Sequence, residues 1–181
     1  DPVQPGDVLS GKFRVERVLG VGGMGVVVAA THLQLGQLVA LKFMLRAALQ
    51  YPDNVARFER EARAAVRLRS DHVAKVTDVG RLDDGAPYMV MEFLEGEDLD
   101  RYARKNAPLP IQTAVDFVLQ ASEAIAEAHS LGIVHRDLKP KNLFLTYRLN
   151  GEPLVKVLDF GFSKMMGEGD LSLPATTQVL G

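Results

Sequence analysis

The sequence predicts an α+β fold in which a mostly β N-terminal part is followed by a mostly helical part. Apolar and polar residues alternate with period two in several stretches between residues 13 and 93, which is typical of half-buried strands. After Gly96 the apolar residues recur at every third or fourth position, which is typical of amphipathic helices. The boundary between the two parts is therefore expected near residues 92–97.

The composition is that of an ordinary globular chain. The 181 residues are 47% hydrophobic and 24% charged, which provides enough apolar material for a core. A net charge of −2 gives no indication of a nucleic-acid partner. The chain has no cysteines, which fits a reducing compartment, and we expect the cytoplasm. No apolar run reaches the roughly 20 residues that span a bilayer.

Five stretches of the N-terminal part predict strands, at residues 13–18, 26–30, 38–44, 76–81 and 88–93. Turn residues at 32–37 and 83–85 indicate hairpins. Between the third and fourth strands, apolar residues at helical spacing predict a helix over residues 54–69. Pro52 and Asp53 are expected to start this helix, with Asp53 as its cap.

The C-terminal part predicts two helices followed by short strands. The helices are expected over residues 99–105 and 111–131, and Gly132 is a natural stop for the second. Mainly apolar runs at 133–134, 143–145 and 155–158 predict the strands. The first two of these runs enclose a polar loop, which they would hold at both ends.

This polar loop, residues 135–142, holds a carboxylate, a cation and a carboxamide close together, and Pro140 keeps it from being a plain helix. Asp137 has the chemistry to accept a proton from an attacking hydroxyl, and Lys139 has the charge to neutralise a phosphate. Asn142 can ligate a hard cation through its carbonyl oxygen. The alternative is a charged surface turn, which is what most such runs are, and the loop alone leaves the question open.

Three further motifs accompany the loop, whose sequence is H-R-D-L-K-P-K-N. Residues 20–27 read G-x-G-x-x-G-x-V, residues 39–42 read V-A-L-K, and residues 159–161 read D-F-G. In this order and in these structural contexts, the four motifs resemble the eukaryotic-type (Hanks-type) protein kinase family. A dinucleotide-binding loop is disfavoured, because its glycines should open a helix rather than a second strand.

The resemblance implies a two-lobed protein-kinase fold. Residues 11–94 would form the small antiparallel β lobe with its helix, after a lead-in over residues 1–10, and residues 95–181 would form part of the larger helical lobe. The sequence would then end within the activation segment. We therefore expect an apolar face on the helix of residues 111–131 to be exposed. We also expect the 181-residue sequence on its own to associate and to transfer phosphate weakly or not at all.

The resemblance also implies the chemistry, which is transfer of the γ-phosphate of ATP to a serine or threonine hydroxyl of a protein. Asp137 would be the catalytic base or the carboxylate that orients the substrate, and Lys139 would steady the transferring phosphate. Asn142 and Asp159 would hold Mg²⁺. A lysine at position 139 is similar to what serine/threonine kinases have there, since tyrosine kinases usually place other residues at this position.

Lys42 lies in an apolar strand, where its charge needs a partner. The resemblance implies that Glu61, on the following helix, forms an ion pair with it. Glu59 is the alternative by sequence alone, but it lies two positions away around the helix and so faces elsewhere.

The resemblance further implies the nucleotide site. Backbone amides of the glycine motif would approach phosphate oxygens without intervening Cβ atoms. Met91 would gate the back of the adenine pocket, and backbone groups of Glu92 and Leu94 would bind the adenine edge, which makes their side chains secondary. The complete predicted ATP-binding set is Gly20, Val21, Gly22, Gly23, Gly25, Val27, Ala40, Lys42, Met91, Glu92, Leu94 and Phe144.

Regulation is implied by Arg136, which in the family commonly pairs with a phosphothreonine because a phosphate suits a guanidinium fork. Thr176 and Thr177 lie where bacterial members autophosphorylate, so self-association for phosphorylation between copies is a possible further partnership. His135, among apolar neighbours, is expected to be a packed residue without a chemical role.

Two alternatives remain at this point. A small-molecule kinase of the aminoglycoside phosphotransferase type ranks lower, because it typically lacks the Arg-Asp-Leu-Lys-Pro order. A pseudokinase or nucleotide-sensing module that binds ATP without transferring phosphate would be favoured by loss of any one of Lys42, Asp137, Asn142 and Asp159. All four are present, so the enzyme interpretation is preferred, with ATP and Mg²⁺ as cofactors and a protein as substrate.

Overall fold

A computed structural model describes residues 3–22 and 25–160. The strands are β1 (Val8–Leu9), β2 (Phe13–Val21), β3 (Gly25–His32), β4 (Gln37–Met44), β5 (Val76–Arg81), β6 (Pro87–Glu92), β7 (Glu97–Asp98), β8 (Leu143–Tyr147) and β9 (Pro153–Val157). The helices are α1 (Arg46–Leu49), α2 (Pro52–Ala65), α3 (Leu99–Asn106) and α4 (Ile111–Ser130), with one 3₁₀ turn at Pro140–Asn142.

The N-terminal lobe is a six-stranded antiparallel sheet with the order β1-β2-β3-β4-β6-β5. Its alternating residues bury one face, on which Phe13, Val28, Leu41 and Val90 pack together. The five predicted strands are therefore confirmed. The two-residue strand β1 was not predicted, since its partner strand rather than its own pattern defines it.

Helix α2 packs its buried residues Phe58 and Ala62 against Met44 and Met89 of the sheet. The predicted cap Asp53 is wrong: Tyr51 precedes the first turn without a side-chain cap, and Pro52 occupies the first helical position, where its missing N–H leaves nothing unsatisfied. The predicted end at residue 69 is also wrong. After Ala65 the chain tightens into turns whose amides bond three residues back.

The described part of the C-terminal lobe consists of α3, α4, the 3₁₀ turn and the three-stranded sheet β7-β8-β9. Small residues of α4, such as Ala121, Ala124 and Ala128, let this helix pack closely with Val155 and Val157 of β9. Apolar residues on another face of α4 are exposed, namely Ile111, Val115, Val118 and Leu119. No helix in the described ranges has both the length and the apolar character needed to cross a bilayer.

The predicted strand at residues 133–134 is wrong. Gly132 adopts a positive φ of 73°, and the amide of Ile133 then donates to the carbonyl of Ala128 over 2.8 Å. This closes the end of α4. Ile133 is buried in the core beside the helix, so burial rather than strand pairing explains its apolar character.

The connection that follows α2 joins the two lobes. The carbonyl of His72 accepts from the amide of Val157 over 2.8 Å, and the amide of Ala74 donates to the carbonyl of Val157 over 3.1 Å. The Glu127 carboxylate on α4 accepts from the amides of Arg69 and Ser70, each over 2.8 Å. The N-terminal lobe is thus fastened to both the sheet and the long helix of the C-terminal lobe.

Candidate active site

The glycine motif forms the hairpin between β2 and β3. The pairs Gly20–Val27 and Val21–Val26 lie opposite each other, and the amide of Gly22 donates to the carbonyl of Gly25 over 2.8 Å. A Cβ atom at Gly25 would lie 2.6 Å from the carbonyl oxygen of Phe43 on β4. Glycine at this position therefore allows the hairpin to lie close to β4. The predicted residue Gly23 lies outside the described residues.

Strand register brings distant residues onto one side of the sheet. Val27 on β3 lies opposite Lys42 on β4, and Lys42 lies opposite Met89 on β6. Directly opposed residues of antiparallel strands share a face. Ala40 and Met91, both predicted to contact adenine, are likewise opposed.

Lys42 forms its ion pair with Asp159, and the Nζ–Oδ1 distance is 2.6 Å. Only 20% of the Lys42 side chain is exposed. Burial alone would lower the pKa of this ammonium, but the Asp159 carboxylate and the nearby Glu61 outweigh it and raise the pKa. Lys42 is therefore a stable cation at neutral pH, held against a carboxylate of the D-F-G motif.

The predicted ion pair between Lys42 and Glu61 is not formed among the described residues, and Lys42 is paired with Asp159 instead. Glu61 lines the same cavity, near enough for its charge to act on Lys42. Burial, reinforced by the Asp159 charge, raises the pKa of Glu61 despite the opposing charge of Lys42. The alternative Glu59 pairs with Arg81 and Arg63 and faces away from Lys42, as its helix phase indicated.

The polar loop is held together by hydrogen bonds between the predicted catalytic residues. Lys139 Nζ lies 2.7 Å from Asp137 Oδ2. Asn142 Nδ2 donates to the Asp137 carbonyl over 2.7 Å and to Oδ2 over 3.2 Å. The bonds from Lys139 and then Asn142 lower the pKa of Asp137. Asn142 Nδ2 is engaged in these hydrogen bonds, and its Oδ1 atom is the one that can ligate a cation.

Packing fastens this loop to the segment that carries Asp159. His135 is buried, its Nε2 lies 2.9 Å from the carbonyl oxygen of Leu158, and its ring packs against Phe160. This agrees with the prediction of a packed histidine. The amide of Leu158 donates to the carbonyl of Asn142 over 2.8 Å, so Asn142 and Asp159 are held near each other.

Two residues of this region adopt strained backbone conformations. Arg136 has a φ of 60° and Asp159 a φ of 43°, values in the left-handed region that side chains other than glycine rarely adopt. Such conformations cost about 1–3 kcal/mol each and persist where the surrounding structure enforces them. Arg136 directly precedes Asp137, and Asp159 is the ion-pair partner of Lys42. The strained backbone therefore lies within the candidate site.

A cavity of about 350 Å³ lies beneath the glycine hairpin. The predicted residues that line it are Gly20, Val21, Gly22, Gly25, Val27, Lys42, Glu61, Asp137, Asn142 and Asp159. Sequence reasoning missed four further lining residues, Met44, Asn54, Phe58 and Phe160. The apolar pattern did reveal Phe58, but only as a core residue.

The other predicted residues are not on the wall of this cavity. Met91 lines a smaller cavity that shares Lys42 and Glu61 with the main one. Lys139 does not line the cavity, but it pairs with Asp137, which does. The remaining predicted adenine contacts, Ala40, Glu92, Leu94 and Phe144, do not line the main cavity. Thr176 and Thr177 lie outside the described residues.

The lining residues suit a nucleotide with Mg²⁺. Asp159 and Asn142 present oxygen atoms of the kind that Mg²⁺ prefers, and glycine backbone faces the same space. The described residues contain no cluster of three acidic, histidine or cysteine side chains that would form a complete metal cage. Mg²⁺ is usually held by one or two protein ligands together with substrate phosphates and water.

Comparison with known proteins agrees with this geometry. The model of the family described as "protein kinase domain" matches residues 13–180. The chain belongs to the protein kinase family. The two-lobed kinase fold predicted from the four motifs is thereby confirmed, with an antiparallel N-terminal lobe and part of the C-terminal lobe.

Several similar proteins come from bacteria. The chain is 41% identical over 165 residues to serine/threonine-protein kinase pkn3 of Myxococcus xanthus, covering 91% of this chain and 30% of pkn3. It is 40% identical over 169 residues to Pkn1 of the same organism, covering 93% of this chain and 24% of Pkn1. The chain therefore spans less than a third of these curated relatives.

A crystal structure of the Mycobacterium tuberculosis PknI kinase domain superimposes on this kinase chain with a TM-score of 0.72 and 30% identity. The superposition covers 90% of this chain and 64% of the PknI chain.

Proposed function

We propose that this chain is part of the catalytic domain of an ATP- and Mg²⁺-dependent serine/threonine protein kinase, which phosphorylates a protein hydroxyl. One observation carries the proposal: Asp137 and Asn142, which are hydrogen-bonded to each other, line the same cavity as the Lys42–Asp159 pair, and Lys139 donates to Asp137. The names of the bacterial relatives, which are serine/threonine-protein kinases, support it.

The residues of the site have two roles, which are to orient the reacting groups and to neutralise charge. Bound Mg²⁺–ATP supplies the transferable phosphoryl group, with Asn142 and Asp159 as the residues that would hold the metal. Asp137, with 46% of its side chain exposed, accepts a hydrogen bond from the incoming hydroxyl and aligns it. Lys139, already beside Asp137, offsets the negative charge on the transferring group. The lowered pKa of Asp137 keeps it ionised for this role.

The adenine end of the site is proposed to lie between Val27 and Ala40 above and Phe144 below. Met91 closes the back, and backbone groups of Glu92 and Leu94 bind the edge of the base. Lys42 reaches the phosphates from β4. We further propose that Glu61 becomes the ion-pair partner of Lys42 when Asp159 binds the metal.

Regulation is proposed to act through phosphorylation of Thr176 or Thr177, with Arg136 as the residue that pairs with the phosphate. Transfer between two copies of the kinase is the proposed route, and the cytoplasm is the proposed location of this part of the protein.

The test is intact mass of the full-length protein before and after incubation with Mg²⁺–ATP. We expect added phosphates in the parent, none in Asp137→Asn, and parental amounts in Asp116→Asn, an exposed carboxylate on α4. Fragmentation should place a phosphate on Thr176 or Thr177. If neither the parent nor Asp137→Asn gains mass while ATP raises the melting temperature, the protein is a nucleotide-binding module and the proposed transfer is wrong.

A further inference from the structure

A buried lysine lies between the two lobes and has no role in the catalytic scheme above. Lys156 is on β9, and only 6% of its side chain is exposed. Its Nζ donates to Glu92 Oε1 over 2.6 Å and to the carbonyl of Val73 over 3.3 Å. The ammonium is therefore satisfied by one carboxylate from the N-terminal lobe and one carbonyl from the interlobe connection.

Glu92, the last residue of β6, is held on several sides. The same Oε1 atom accepts from the amide of Lys75 over 2.8 Å, and the amide of Glu92 donates to the carbonyl of Lys75 over 2.9 Å. One carboxylate oxygen thus joins the end of β6, the connection at residues 73–75 and strand β9.

The pair lies where the proposed nucleotide contacts converge. Phe144 on β8 is directly opposite Lys156 on β9, so the two side chains share a face of that sheet. Glu92 supplies the proposed adenine-binding backbone, and Asp159 follows Lys156 by three residues. A single ion pair therefore connects the adenine edge, the residue beneath the base and the strand that leads to the metal-binding carboxylate.

Stability alone does not explain this arrangement. Removing two charges from water carries a large desolvation penalty, and apolar replacements of buried pairs are often neutral or stabilising. Exposed ion pairs such as Arg104–Asp100, with 75% of the arginine side chain exposed, contribute little in either direction. Geometric control of the neighbouring segments is the property that a buried, hydrogen-bonded pair provides and an apolar pair does not.

We propose that Glu92 and Lys156 are positioning residues that set the spacing between the adenine-binding edge and Asp159. This rests on the proposed function. The Glu92 side chain then matters in its own right, whereas the sequence had suggested a role for its backbone alone.

Four variants of the full-length protein test the proposal: Lys156→Met, Lys156→Arg, Glu92→Gln and the double variant Glu92→Gln/Lys156→Met. Arg104→Met is the matched control, since it removes one partner of an exposed pair. The readouts are the KM for ATP, kcat, the Kd for ATP in the absence of a protein substrate, and the melting temperature.

We expect Lys156→Met to raise the KM and the Kd for ATP about tenfold, as substitutions of residues that orient ligand-binding groups typically do. The value of kcat should change by less than about threefold. Lys156→Arg, which keeps the charge, should stay nearer the parent than Lys156→Met, and Arg104→Met should match the parent.

The double variant separates positioning from folding. The glutamine introduced by Glu92→Gln retains an oxygen for the amide of Lys75. Both charges of the pair are removed, so no unpaired charge stays buried, and the melting temperature should return towards the parental value. The KM for ATP should remain raised. If the double variant restores both quantities, or if Lys156→Met lowers the melting temperature without changing the KM or the Kd, the positioning role is wrong. Tighter ATP binding in Lys156→Met would also overturn it.

These outcomes are distinguishable from failure of the proposed function. If the parent binds ATP but transfers no phosphate, the kinase proposal fails while the Kd values still decide the role of the pair. If the parent does not bind ATP at all, both proposals are wrong. Should Lys156→Met fail to fold, Glu92→Gln and the double variant provide the same comparison.

Discussion

Replacement of Glu127 should destabilise the protein, because its side chain bonds a segment that lies 57 and 58 residues earlier in the sequence. Its carboxylate accepts from the amides of Arg69 and Ser70, each over 2.8 Å. Hydrogen bonds to a charged group contribute about 1.5–3 kcal/mol each, and the partial exposure of these two favours the lower end or less. Alanine is as good a helix former as glutamate, so α4 itself should not be weakened.

We therefore expect Glu127→Ala to lower the free energy of unfolding by about 2 kcal/mol. For a chain of this size that corresponds to a fall in Tm of roughly 4–8 °C. Glu127→Gln should lose about half as much, because its oxygen still serves one amide while its NH₂ group faces the other.

Scanning calorimetry would measure these shifts, with Asp116→Ala as the control on the exposed side of the same helix. If Glu127→Ala melted within about 1 °C of Asp116→Ala, a difference too small for even one charged hydrogen bond, the carboxylate would not fasten α4 to the connection after α2.

Two further substitutions test the site and the boundary between the lobes. Burial raises the pKa of Glu61, so the stabilising contribution of its neutral form is complete below the ordinary value of 4.5 and is lost as the pH rises through the raised pKa. Glu61→Gln should therefore raise the Tm at pH 7 relative to the parent and lose this advantage below pH 4.5; a Tm difference that does not depend on pH would contradict the assignment. Gly96 has a φ of 146°, and a Cβ atom there would lie 2.0 Å from the carbonyl oxygen of Leu145. Gly96→Ala should cost more than the roughly 1–3 kcal/mol of backbone strain alone and separate β7 from β8, whereas Gly151→Ala, with a φ of 84° and open space around it, should show the strain alone; equal losses of Tm in the two variants would show that the close approach to Leu145 is unimportant.

The parts of the fold that the sequence revealed are those with a long periodic pattern. Strand β4 and helix α4 extend over enough residues for alternation or helical spacing to be distinct. Strand β7 and helix α1, with two and four residues, are too short for a period to be visible. Residues 133–134 were assigned to a strand because they are apolar, yet a backbone bond to Ala128 determines their conformation.

The site was predictable as a set of residues and less so as a set of contacts. Motif spacing identified Asp137, Asn142 and Asp159, which line the same cavity. It could not indicate that Asp159 rather than Glu61 contacts Lys42, because that choice depends on the placement of α2 and on a left-handed backbone at Asp159. The contact between Lys156 and Glu92 could not be predicted for a similar reason, since the two residues lie 64 positions apart in the sequence.

The register of the N-terminal sheet has a consequence for how the length of this chain can vary. Lys42 faces the cavity because it lies opposite Val27 and Met89, and inserting one residue within β4 would turn every following side chain to the other face. The loops at residues 33–36 and 148–152 lie outside the paired strands that carry the site. Insertions are therefore tolerable in these loops, whereas the interiors of β3 and β4 must keep their length.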